Sequence, residues 1–264
     1  MLLSPLDREL IALVHEHGQR AAIATVRIAS CFAWLPYLSS GTVSSRLTRT
    51  VLAMIVLVGM WPVTEGMIVP VDMFDAVRLA GMEALIGTGL GLVLSFPYHA
   101  FHALGAMSDN QRGASISSAV DPLSGIEATE TANLLQLFSA TLFLSLGGMT
   151  ALLEAVYESY RWLPIGAAFQ FDADGLTLHM GHLLAAAVRM AAPLLLLLML
   201  AEVCLGMLSR FAQQLNAFSE SLAIKSMVAF LALAIYLMPL MQRELPALWR
   251  SLPADYLRPV SELP

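Results

Sequence analysis

The sequence predicts an all-α membrane protein, and three observations carry that prediction. Hydrophobic residues make up 58% of the 264 and charged residues only 13%. Mean hydropathy is +0.71. The apolar residues gather into six hydrophobic helical segments, roughly 21–38, 50–63, 80–105, 132–157, 183–208 and 224–241, set against the ~20 residues that a spanning helix needs. A soluble chain of this length requires a far larger charged surface. The net charge of −6 leaves no basic footprint, so no nucleic acid partner is expected. No repeat or low-complexity linker divides the chain, and residues 1–264 are read as one domain.

The N-terminus, MLLSPLDREL, places Asp7, Arg8 and Glu9 where a secretory signal needs positive charge followed by an apolar run, so no cleaved peptide is expected. His15-Glu16-His17 resembles a fragment of a zinc-binding helix, but Gln19 stands where the second histidine of HExxH belongs. An amphipathic N-terminal helix is the better reading. The first apolar segment encloses Arg27 and Cys31; Cys31 and Cys204 lack any metal or redox spacing and read as two buried thiols. The second segment is short, bounded by Arg46 and Arg49 before it and Trp61-Pro62 after it, which suits a half-span or a helix buried in protein.

The third segment carries Glu83 near its start. Gly87 and Gly91 then stand in a GxxxG relation that lets another backbone approach closely. Pro97 is expected to kink this helix or end its first half. His99 and His102 could share a face, yet no acidic or sulfur ligand joins them, so packing is favoured over a metal. GTGLG lies inside an apolar helix and is no phosphate loop. The GASIS around Ser115 lacks the second glycine of a nucleophile elbow. Nothing here asks for a cofactor, and no catalytic constellation emerges.

A loop of about 106–130 follows, rich in Ser, Gly, Asp and Ala, with Asp121-Pro122 as a turn signal. A loop of that length is usually functional. Met107 at its mouth is a candidate channel contact. The fourth segment ends in Glu154, Glu158 and Tyr160-Arg161-Trp162-Leu163-Pro164, whose aromatic residues suit a membrane interface. Phe169 to Asp174 forms an acidic, aromatic-flanked connection. Between the fifth and sixth segments lies a polar stretch, Gly206 to Lys225, which reads as a hairpin tip; Arg210, Gln214, Asn216 and Lys225 there demand partners. The remainder, with Pro246, Pro253, Pro259 and Pro264, is read as an irregular C-terminal tail over 243–264.

Arg27, Glu83, Arg189 and Glu202 fall inside apolar segments. A lipid-facing charge costs at least ~2.5–3.5 kcal/mol, so these four are expected to face protein or water. Glu83, Arg189, Glu202 and Lys225 admit two readings. One is a proton or ion relay in a stand-alone secondary transporter using Glu83, Glu202 and Lys225. The other is mutual pairing, or pairing with a neighbouring subunit, and it is favoured because two related halves with broken helices are not evident. Sorting Lys and Arg by loop leans only weakly towards cytoplasmic termini, as helices packed within an assembly would.

Three passages together carry a family resemblance: EALIGTGLGLVLSFPYHAFHALGAMSDNQRGASISSAVDP, LFLSLGGMTALLEAVYESYRWLPIG and GMLSRFAQQLNAFSESLAIKS. Their order and spacing, over about Ala21 to Leu240, resemble the export-gate subunit of type III secretion, the FliR/SctT (YscT/SpaR/HrcT) family. Gln213 and Ala223 stand where the family usually has prolines. The resemblance implies a non-enzymatic subunit in the bacterial inner membrane, at the base of the secretion apparatus. There it joins FliP/SctR-like and FliQ/SctS-like subunits, with FlhB/SctU-like and FlhA/SctV-like components nearby, in a pore for exported proteins. It further implies a FliP/SctR-like part over 1–180 and a FliQ/SctS-like hairpin over 181–242, in contact with lipid and secreted substrates. The loop would be a plug, which makes Met107, Asp109, Gln111, Arg112, Gly113, Ile116, Asp121 and Pro122 candidate gating residues. Glu83, Arg189, Glu202, Arg210, Gln214, Asn216 and Lys225 become candidate docking charges and polar groups. The form of the Tyr157-Glu158-Ser159-Tyr160 passage leans towards an injectisome rather than a flagellum.

Overall fold

The structure is a computed structural model that describes residues 5–38, 45–60, 72–113, 130–166, 169–171, 173–211, 217–250 and 257–259. Among these residues the elements are α1 (Pro5–Trp34), α2 (Arg46–Gly59), α3 (Met73–Gln111), α4 (Glu130–Ser145), α5 (Gly148–Trp162), β1 (Phe169–Phe171), α6 (Ala173–Phe211), α7 (Ala217–Arg250) and β2 (Leu257–Pro259). The protein is thus all-helical in architecture, with one short antiparallel ribbon that pairs Phe169 with Pro259 and Phe171 with Leu257.

Among the described residues the six expected spans reduce to three helices long and apolar enough to cross a membrane, within Met73–Gln111, Met180–Phe211 and Ser221–Arg250; a fourth is added if α4 and α5 count as one broken span. Length explains the two early losses. The apolar half of α1 is short and interrupted by Arg27, while α2 has only 14 residues, about 21 Å at 1.5 Å per residue. The fourth segment breaks at Leu146-Gly147 because Gly147 adopts φ 84°, a left-handed conformation that glycine reaches without a Cβ penalty. Pro97 does not end its helix, since α3 runs through it to Gln111. Residues 106–111 of the expected loop are therefore helical, and so are 243–250 of the expected tail, where α7 continues past Pro239 and Pro246.

The chain folds into two compact units. The first comprises residues 1–95, 146–176 and 252–264. Its core is an α1 stripe at helical spacing, Ala24, Ile28 and Cys31, continued by Leu35 just past the helix end, with Leu79 and Ile86 of α3 and Leu152 and Val156 of α5. The GxxxG glycines serve a close helix crossing. A Cβ on Gly91 would lie 2.5 Å from the carbonyl oxygen of Cys31, and one on Gly87 would collide with Ser30 and Arg27. Of the two thiols expected to be buried, Cys31 is and Cys204 is exposed.

The second unit comprises residues 96–145 and 177–251. Tyr98, Phe101 and Leu104 of α3 are buried, as are Leu135 and Phe143 of α4, Leu194 and Leu198 of α6, and Leu233 and Leu245 of α7. Gly105 leaves room for α4, because a Cβ there would lie 2.5 Å from Ala132 Cα. The Phe143 ring packs between Tyr98, edge-on at 5.7 Å, and Trp249 at 4.3 Å.

Candidate functional site

In the first unit, Glu83 meets Arg27. The guanidinium donates from Nε to Glu83 Oε2 at 2.6 Å and from Nη2 to Oε1 at 2.9 Å, a bidentate pair with both side chains buried. Its remaining nitrogen donors reach the carbonyls of Ser159 and Leu163, each at 2.9 Å, and so cap the C-terminal end of α5. The guanidinium also stacks 4.2 Å over the ring of Tyr160, whose hydroxyl donates to the Ala24 carbonyl at 2.7 Å. Arg27 thereby fastens α1, α3 and α5 at one point. The sequence flags Arg27 and Glu83 as misfits in apolar helices, but nothing in it joins residues 56 positions apart.

In the second unit a polar cluster forms where α3 ends and α4 begins. The fully buried Asp109 accepts from Arg112 Nε at 2.9 Å through Oδ1 and from the Thr131 backbone N–H at 3.1 Å through Oδ2. Arg112 also donates to Thr131 Oγ1 at 3.1 Å. A carboxylate from α3 thus caps one orphan N–H, that of Thr131, at the start of α4, and its Arg112 partner bridges both helix ends. The end of α3 and the start of α4, which flank residues 114–129 in the chain, are thereby clasped together. On its other side the Arg112 guanidinium lies 4.9 Å over the ring of Phe230 in α7.

The cluster extends to the hairpin through Glu202. Glu202 Oε2 pairs with Lys225 Nζ at 3.0 Å and accepts from Gln111 Nε2 at 3.4 Å. Lys225 is nearly buried while Glu202 is exposed. Burial alone penalises the ammonium, so the carboxylate on the neighbouring helix is what keeps a charged lysine tolerable there. Residues read separately from the sequence as gating and docking candidates, Asp109, Gln111, Arg112, Glu202 and Lys225, therefore belong to one patch. Met107 lies part-buried within α3 rather than at a loop mouth, and Gly113 turns at φ 79°. Arg189 and Arg210 are exposed on α6. Ile116, Asp121, Pro122, Gln214 and Asn216 lie outside the described residues.

Two members of the patch escape sequence reasoning. Thr131 has an available signal, a hydroxyl next to Glu130 just before an apolar run, which is a helix-start pattern. Phe230 has none, because one aromatic in a greasy helix looks like any other. His99 bonds Gln136 at 3.3 Å. Among the described residues, no group of three His, Cys, Asp or Glu side chains is placed to hold a metal.

Comparison with known proteins places the chain among bacterial export components. The chain is 36% identical over 228 residues, 86% of each chain, to the surface presentation of antigens protein SpaR of Salmonella typhimurium. It is 33% identical over 242 residues, 89% of this chain and 93% of the other, to the Yop proteins translocation protein T of Yersinia pestis. It is 29% identical over 222 residues, 81% of this chain and 82% of the other, to the flagellar biosynthetic protein FliR of Escherichia coli. The family model described as bacterial export proteins, family 1, matches residues 19–249. Since that match takes in every described helix but the polar start of α1 and the last residue of α7, this chain belongs to the bacterial export proteins, family 1, the FliR/SctT family.

Proposed function

We propose that the chain is an integral subunit of a type III secretion export gate. With FliP/SctR-like and FliQ/SctS-like subunits it forms the inner-membrane pore through which unfolded proteins leave the cell, next to FlhB/SctU-like and FlhA/SctV-like components. It performs no catalysis of its own. The stretch that begins after Gly113 and ends before Glu130 acts as the plug. The observation that carries this reading is the clasp of Asp109, Arg112 and Thr131, with its extension through Gln111 to Glu202 and Lys225. A displaceable segment needs fixed ends, and a buried charge-assisted pair with a helix cap supplies them. The segment between is small and polar in composition, and such residues suit a plug because they give up little apolar contact when substrate displaces them.

The transporter alternative loses ground on the same geometry. Glu83 is occupied by Arg27 in one unit, whereas Glu202 and Lys225 pair in the other. The test is electrical. The complex is reconstituted with its partner subunits in planar bilayers, with residues 114–118 deleted from this chain. We expect assembly to persist and the ion conductance to rise above that of the intact complex. Unchanged conductance in a fully assembled complex would sink the plug, and failure of the intact chain to co-purify with any small helical subunit would sink the export-gate reading.

A further inference from the structure

Arg189 is exposed on α6, and no described residue pairs with it. Its depth follows from the hairpin. Glu202 bonds Lys225, and the Tyr236 hydroxyl donates to the Met190 carbonyl at 3.4 Å, so α6 and α7 run antiparallel with Arg189 beside the level of Tyr236. The uncharged run of α7 extends from Ser226 to Gln242, bounded by Lys225 and Arg243. Arg189 therefore lies within the apolar band, about 10 Å short of the end that Arg243 marks. Leu184, Val188 and Leu196 around it are exposed too.

A second polar group stands at the same turn. Pro193 lies inside α6 and has no N–H for the carbonyl of Arg189, four residues before it, so that carbonyl loses its usual helical donor. Hydrocarbon satisfies neither a guanidinium nor a free carbonyl. A headgroup phosphate lies outside the band and brings no donor. A protein helix bearing an acidic side chain meets the charge at the depth where it occurs, and its own polar groups can reach the carbonyl.

We propose that this face of α6 receives a membrane helix of a partner export subunit carrying an Asp or Glu, whose carboxylate pairs with Arg189. The inference rests on the multi-subunit reading above and names the anchor of one interface. The test co-expresses the full chain with tagged subunits of its own export system. Arg189→Glu is expected to cut co-purification by roughly tenfold or more, as loss of a desolvated charge pair does, while Arg189→Lys retains most of it. Reversing acidic residues of the partner helices to Arg one at a time should restore the Arg189→Glu complex at one position. Where Arg189→Glu alters helicity or monodispersity of the isolated chain, Arg189→Gln serves in its place, with the partner's acidic residue changed to Gln as its match. Wild-type co-purification of Arg189→Glu would overturn the proposal. So would failure of every partner substitution to restore assembly, together with loss of bound anionic lipid in native mass spectrometry, which would assign the site to a headgroup. If the unsubstituted chain captured no subunit at all, the export-complex reading would fall first and this inference with it.

Discussion

Arg27 commits four N–H donors, two to Glu83 and two to the end of α5, and its planar face to Tyr160. A lysine offers neither the fork nor the face, so no single replacement reproduces the site. Removing one member of a fully buried pair leaves the other uncompensated, which costs about 3–5 kcal/mol. Glu83→Ala is therefore expected to lower stability by that order in detergent unfolding, with Arg27→Met alone as damaging. The double variant Arg27→Met with Glu83→Leu should recover part of the loss, since two apolar side chains strand no charge. A Glu83→Ala protein that unfolds like the parent would show that the pair does not hold this unit together. The Asp109 site follows the same logic on a smaller scale, because its carboxylate answers a cation and a helix N-terminus at once.

The helices show how little a proline or glycine means without its surroundings. α3, α6 and α7 each carry proline internally and continue, because a long helix supported by neighbours tolerates one missing hydrogen bond. The glycines of α3 divide by what faces them. Gly91 lies against the α1 backbone at Cys31, whereas Gly81 has open space around its Cβ position. Gly91→Ala must push α1 away and is expected to destabilise by about 1–3 kcal/mol. Gly81→Ala relieves a helix of its least favourable residue and should be neutral or stabilising by up to ~1 kcal/mol. Equal effects of the two substitutions on thermal unfolding would contradict the crossing described here.

Taken whole, the chain is a membrane component of a bacterial export system whose longest helices leave much of their apolar surface uncovered. Leu196, Val203, Met207, Phe211, Met227, Phe230 and Ile235 are all exposed on α6 and α7, a density that lipid or partner helices must cover. Cys204 lies on that surface and Cys31 in a core. In the detergent-solubilised chain a maleimide should modify Cys204 and spare Cys31, and co-assembly with the export subunits should slow the Cys204 reaction. Labelling of both thiols at one rate would refute this division.

Composition and apolar run length by themselves determined that this is a helical membrane protein, since no soluble surface can be made from so few charges. Three ordered motifs determined the family. Hydropathy alone marks six spans because it is blind to where helices end: the charge inside α1, the brevity of α2 and the left-handed Gly147 decide the span number only in the folded chain. The loop and the tail are shorter than their composition suggests for a related reason. Polar and proline-bearing residues look like coil until a neighbouring helix or a cap, such as Asp109 on Thr131, supplies what they lack. Only the tertiary structure decided which charges meet. Arg27 with Glu83, and Glu202 with both Lys225 and Gln111, are long-range pairs, and long-range pairing is set by how helices cross, which no local pattern in the chain encodes.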